Sequence, residues 1–216
     1  MGKVDWPDAD GFDANGTMPD PIGVRSGQPI FTIGHSTHQS DWFVSLIKRH
    51  EIEVLVDIRS HPFSQRVPHF DLDAIRESVR GAGIRYVYLG RELGGRPADT
   101  NLYDQDGRVL YGKVAETPLF QTGIERLEKG VRRYRVALMC SEEDPSGCHR
   151  RLLVGRVLAG LGILSSHIRG DGTVETEENL SRERDSQIAL FDGEESEWKS
   201  LQSVLHRSRP KRFSAR

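Results

Sequence analysis

Five short apolar runs recur along the middle of this chain, at residues 29–33, 54–59, 84–89, 134–140 and 163–168. Their β-branched and aromatic content reads as strand. Val54-Leu-Val-Asp-Ile-Arg59 is apolar at successive positions, the mark of a strand covered on both faces. Between the runs, residues 40–47, 71–80, 118–129 and 149–161 carry apolar side chains at helical spacing, Leu72, Ile75 and Val79 for example. Ser36, Thr37 or Ser40 can cap the first helix, Gly81 or Gly83 can stop the second, and Pro118 suits the first turn of the third. This alternation predicts an α/β fold. It has three layers, a mainly parallel open sheet of about five strands, helices on both faces and right-handed crossovers. Residues 90–116, with Gly94-Gly95, Pro97 and Asp104-Gln-Asp-Gly107, read as a long irregular loop or lid.

The chain divides into a Gly/Pro/Asp-rich leader (1–28), one α/β domain (29–190) and a charged C-terminal tail (191–216). A formal net charge of −2 argues against wholesale electrostatic capture of nucleic acid, and leaves room for a local basic patch. The tail after His206 is such a patch, able to touch nucleic acid or simply to solubilise. Two cysteines do not make a disulfide scaffold at this length, so free thiols and a cytoplasmic location are expected. No apolar run approaches the ~20 residues that span a bilayer, so no membrane partner is expected. The pattern specifies no oligomeric state.

Open α/β sheets bind ligands outside the carboxyl ends of their strands, and polar clusters stand at those ends here. They are Gly34-His35-Ser36, Asp57-Ile-Arg59-Ser-His61, Gly90 to Arg96, Cys140 to Arg150, and His167-Ile-Arg169. Both cysteines of the chain fall in Cys140-Ser-Glu-Glu-Asp-Pro-Ser-Gly-Cys148-His149-Arg150. Three chemistries suit that stretch. Cys148, or Cys140, is a nucleophile: at a helix N-terminus Cys148 is expected to have a lowered pKa, with His149 or His35 as base. Alternatively Cys140, Cys148 and His149 hold zinc with His35 or His61 as a fourth ligand, although no cofactor is required by the pattern. In the third, Glu142 or Glu143 is the working acid or base and the cysteines merely pack, which suits hydrolysis of a glycosidic or N-glycosidic bond.

Arg59, Arg91, Arg96 and Arg150 supply the guanidiniums that grip phosphate or carboxylate, with Asp57 and Ser36 beside them. Asp57 and Arg59 lie two apart on a strand, so they share a face and can instead pair with each other.

Thr32-Ile-Gly-His-Ser36, Leu55-Val-Asp-Ile-Arg59, Tyr88-Leu-Gly-Arg-Glu-Leu-Gly-Gly95, the Cys140–Arg150 stretch and His167-Ile-Arg-Gly-Asp-Gly172 together resemble the domain of unknown function 488 family. The resemblance runs in order from about residue 30 to 175. It implies a single α/β domain and a suspected site at His35, Asp57, Arg59, Glu142, Cys148, His149 and Arg150, and it carries no reaction. The expectation is an enzyme, a hydrolase or transferase with thiol or carboxylate chemistry, acting on an anionic small molecule, nucleotide or nucleic acid. The alternatives are a zinc- or redox-responsive binding module and a nucleic-acid interaction protein using the tail.

Overall fold

The computed structural model describes residues 29–180 and 198–204. Strands β1 (Ile30–Gly34), β2 (Val54–Asp57), β3 (Arg85–Tyr88), β4 (Val136–Cys140), β5 (Ser165–Ile168) and β6 (Val174–Thr176) form one sheet in the order β3-β2-β4-β1-β5-β6. Every pairing is parallel except β5 with β6.

Alternate residues of each strand feed two separate cores. Phe31, Ile33, Leu55, Ala137 and Met139 pack with α1 (Ser40–Arg49) and α2 (Leu72–Gly81). Ile30, Val54, Val56, Val136 and Leu138 pack with residues of the helices on the other face. Those are α3 (Gly90–Leu93), α4 (Tyr111–Glu116), α5 (Pro118–Val131), a π-helical segment (Arg150–Gly155) and α6 (Arg156–Gly160). Continuous apolar runs such as Val54-Leu55-Val56 are needed because neither side of the central strands meets water.

β1 leads through α1 towards β2, whereas its neighbour β4 leads through α6 towards β5. Chains leaving two adjacent strands in opposite directions open the crevice in which ligands of such sheets sit. The loops after β1 and β4 meet there: the His35 amide donates to the Cys140 carbonyl at 2.9 Å, and that of Ser36 to Ser141 at 3.0 Å.

Three features depart from the pattern. First, β6 adds a sixth strand at the edge; its three residues are partly exposed and too few to give an apolar signal. Second, residues 90–116 are not irregular throughout, since they hold α3, a 3₁₀ turn (Thr100–Leu102) and α4. Helices this short have no legible period, and burial of Leu93, Tyr111 and Val114 holds them. Third, the helix after Cys148 starts as a π-helix. In its wider turn the adjacent Arg150 and Arg151 are both buried against different partners.

Residues 198–204 return to the domain. Trp198 donates its indole N–H to the Leu152 carbonyl at 2.8 Å, and Ser200 pairs with Val109 through N–H···O bonds of 2.9 Å each way. The leader and the basic stretch from His206 lie outside the described residues. Among the described residues no helix is long and apolar enough to cross a membrane.

Gly34 tests how tightly the two loops close. A Cβ there would fall inside the van der Waals envelope of the Glu142 carbonyl, which is backbone and cannot swing aside. Gly34→Ala is expected to cost about 3 kcal/mol in urea unfolding. An unchanged midpoint would show that the Cys140–Arg150 loop yields freely.

Candidate functional site

The polar residues at the carboxyl edge of the sheet divide into two clusters on opposite faces. On the α1/α2 face Asp57 and Arg59 are both buried, and the guanidinium grips the carboxylate with Nη2–Oδ2 at 2.6 Å and Nε–Oδ1 at 2.9 Å. Tyr86 adds its hydroxyl to Asp57 Oδ2 at 2.6 Å. Burial pushes the Tyr86 phenol up, and the Asp57 charge pushes it further. The remaining Arg59 Nη1 donates to His35 Nε2 at 3.2 Å, while His35 Nδ1 donates to the Ser36 carbonyl at 2.9 Å. His35 also stacks on Phe70, with centroids 4.3 Å apart. Burial and the neighbouring Arg59 charge lower its pKa to about 4. With both ring nitrogens engaged, His35 is a neutral strut that aims Arg59. The base and fourth-ligand roles expected for it have no free nitrogen to work with, and Asp57 has no free oxygen turned to a ligand. Ser36 sits at φ 48°, a turn position whose carbonyl serves His35.

On the other face Cys140 ends β4, and Cys148 and His149 begin the helical turn that follows. His149 Nδ1 lies 3.6 Å from Cys140 Sγ and 3.8 Å from Cys148 Sγ. These three ligand atoms lie within 4.8 Å of one another. His149 Nε2 donates to the Ile58 carbonyl at 3.1 Å, which turns Nδ1 towards the sulfurs. Neither cysteine forms a disulfide, and they are 6% and 1% exposed.

The electrostatics reverse the expected order of the thiols. A hydrogen bond from the Cys148 thiol, together with His149 and Arg150, holds Cys140 well below the ordinary thiol range. Burial and the Cys140 charge push Cys148 up. The cause is position: the Cys148 side chain is buried beside a second sulfur, and that outweighs a helix terminus. Burial opposes charge on His149, yet the adjacent Cys140 leaves its pKa raised. Tyr111 from α4 closes one side, its phenol raised by burial and by the charges of Cys148 and Glu142. Glu142 itself is exposed.

The Gly94-Gly95 turn covers the imidazole, and a Cβ on Gly95 would lie 2.6 Å from His149 Cγ. This accounts for a glycine pair that is not a phosphate loop. Arg91 and Arg96 flank the turn, exposed, with the Arg96 amide tied to Ser60 Oγ at 2.9 Å.

Arg150 is fully buried and its donors are committed inside the fold. Nε bonds Thr32 Oγ1 at 3.2 Å, Nη1 the Glu142 carbonyl, and Nη2 the Glu143 carbonyl at 2.6 Å. The anion grip expected of it is replaced by a grip on the loop that carries the cysteines. Tyr86, Tyr111, Thr32 and the Ile58 carbonyl are contributors that the pattern reading missed. The two tyrosines sit among apolar or irregular segments, and a backbone carbonyl carries no sequence signal at all.

A family model described as domain of unknown function DUF488 matches residues 39–157, more than half of the chain. The chain belongs to the DUF488 family. No curated protein and no solved structure matches it. Cys140, Cys148, His149 and Arg150 all lie inside the matched span of this DUF488 protein, as do Asp57 and Arg59, while His35 precedes it.

Two expectations follow. Arg150→Lys keeps the charge but loses the fork, and is expected to destabilise by about 2–4 kcal/mol in urea unfolding; wild-type stability would show that the loop carbonyls find other donors. His35 makes stability pH-dependent. Its folded pKa lies below the ordinary 6.5, so the neutral form stabilises the fold above 6.5 and that contribution is lost as pH falls towards about 4. The loss is on the order of 3 kcal/mol at the bottom of that window. The unfolding midpoint of His35→Gln is expected to vary less across it than that of wild type; parallel slopes would assign the dependence elsewhere.

Proposed function

We propose that this DUF488 protein is a zinc-dependent hydrolytic enzyme, with Cys140, Cys148 and His149 as ligands and one coordination position left for water or substrate. The observation that carries this reading is the convergence of the two sulfurs on a histidine nitrogen whose ring partner is tied down. With Zn–S of ~2.3 Å and Zn–N of ~2.0–2.1 Å, a tetrahedral ion has an S···N edge of about 3.6 Å. The edges here are 3.6 and 3.8 Å. Metal-bound imidazoles typically give their other N–H to a carbonyl or carboxylate, the part Ile58 plays for His149. Two thiolates and an imidazole favour zinc over the hard cations, which take oxygen ligands.

When bound, such an ion activates water near neutral pH or polarises a carbonyl or phosphoryl oxygen. The chain's own residues supply the rest. Glu142, two residues past Cys140, moves the proton between the attacking water and the leaving group. Its charge already reaches Cys148 and His149. Arg91 and Arg96, exposed on either side of the Gly94-Gly95 turn, would hold an anionic substrate. Arg59 and His35 brace the β2 end from behind.

A second reading keeps one observation in its favour: the Cys148 thiol and His149 both face Cys140 Sγ, an arrangement that also suits a thiol nucleophile. Elemental mass spectrometry separates the two. Protein purified without added metal is expected to carry about one zinc per chain, Cys140→Ser, Cys148→Ser and His149→Gln to lose it, and Glu142→Gln to keep it. A metal-free protein whose melting temperature ignores chelators, with Cys140 rapidly alkylated, would overturn the zinc reading in favour of the thiol.

A further inference from the structure

The loop that follows β2 holds an aromatic ring out into water on a braced backbone. Phe63 is 69% exposed and makes no ring contact among the described residues. Its neighbours are pinned. Pro62 and Val67 are buried, the Leu72 amide donates to the Pro62 carbonyl at 2.9 Å, and the Ser64 amide donates to Asp71 Oδ1 at 2.7 Å. A phenylalanine kept out of a core forgoes the favourable burial of its ring. The anchored backbone holds the outward-facing ring in a fixed place, where it offers a ready stacking face.

The surroundings indicate which partner. Arg66 on the same loop, and Arg91 and Arg96 on the segment after β3, are exposed and make no ion pair among the described residues. The two loops are one surface. Ser60 Oγ accepts from the Arg96 amide at 2.9 Å, and the Tyr88 hydroxyl donates to the Arg59 carbonyl at 3.2 Å. Of the opposing charges nearby, Glu92 pairs with Arg126 at 2.7 Å, and an Asp71 oxygen is turned to the Ser64 amide. Glu142 is the contrary charge, exposed and close enough to Cys148 and His149 for its field to reach both.

Guanidiniums for phosphates and a free aromatic face for a base are the two elements of single-strand recognition. A duplex presents no unstacked base to such a ring. With an overall charge of −2, no general field would hold the strand, so the grip must be local. We infer that the rim formed by Phe63, Arg66, Arg91 and Arg96 binds single-stranded nucleic acid, with a base stacked on Phe63 and phosphates on the arginines. Resting on the zinc-enzyme reading, it names the substrate class: the strand runs over the Gly94-Gly95 turn and brings one nucleotide to the Cys140, Cys148 and His149 centre.

The test is fluorescence anisotropy of the full chain with a labelled single-stranded oligonucleotide, across a salt series. Phe63→Ala is expected to weaken binding about tenfold or more with the salt slope unchanged. Arg66→Gln, Arg91→Gln and Arg96→Gln are each expected to weaken it and to lower the log–log slope by about 0.7. These variants keep the basic stretch after His206, so a strand held there would bind them all like wild type, which would overturn the inference. Binding of a nucleoside monophosphate as tightly as the oligonucleotide would overturn it too, since one nucleotide cannot span the rim. Cys140→Ser separates the two proposals. Strand binding retained by Cys140→Ser with no zinc found in wild type overturns the zinc enzyme and spares the rim, whereas zinc in a protein that binds no strand does the reverse.

Discussion

The fully buried guanidinium of Arg150 fixes the loop on which the convergence of the two thiols and His149 depends. It reaches Thr32 in the middle of β1 and the carbonyls of Glu142 and Glu143 in the loop after β4. Thr32 in turn donates its hydroxyl to His167 Nδ1 at 2.7 Å, and His167 Nε2 donates to Glu177 at 3.2 Å. Arg151, next in the chain, also bonds Glu177, at 2.8 Å. The resulting chain of bonds joins β1, the cysteine loop, β5 and the segment after β6. Removing a charge from water is costly unless its donors are met, and the Arg150 donors are met by groups whose positions matter. Two of its acceptors are backbone carbonyls of the very loop that brings Cys148 and His149 back towards Cys140.

Around that anchor the edge of the sheet separates two kinds of work. The Asp57, Arg59, Tyr86 and His35 cluster satisfies itself internally, and each member is immobilised by the others. Clusters of this kind brace rather than react. The Cys140, Cys148 and His149 cluster is the opposite case. Its members lie close, but their contacts are long thiol contacts of 3.6 and 3.8 Å that leave the donor atoms turned towards a common point. Low dielectric surroundings make that convergence consequential, because a cation placed among these donors would be held with little competition from water.

Much of the fold was legible. The runs at 54–59 and 134–140 had to be strands because their apolar residues serve both faces, and Val54, Leu55 and Val56 do divide between two cores. The loops carrying polar residues at the strand ends were legible for the same reason: only there does an open parallel sheet leave backbone free for a ligand. What escaped notice was held by packing rather than pattern. The short helices α3 and α4 depend on Leu93, Tyr111 and Val114 meeting α5 and the sheet, and β6 depends on pairing with β5. Neither leaves a periodic trace.

Composition and spacing by themselves determined the layer architecture, the gathering of polar residues at the strand ends, and the crowding of both thiols with His149 in one loop. Hydrophobic period is local, so a chain displays it before it folds. Only the tertiary structure decided which side of the sheet each polar residue serves. It set His35 against Arg59 instead of the cysteines, turned Arg150 inward, and left Phe63 facing solvent. Those assignments depend on hydrogen-bond partners up to 118 residues apart, as Arg150 and Thr32 are. A side chain's role at this edge is set by which groups the fold places within about 3 Å of it, and residue type alone does not carry that information.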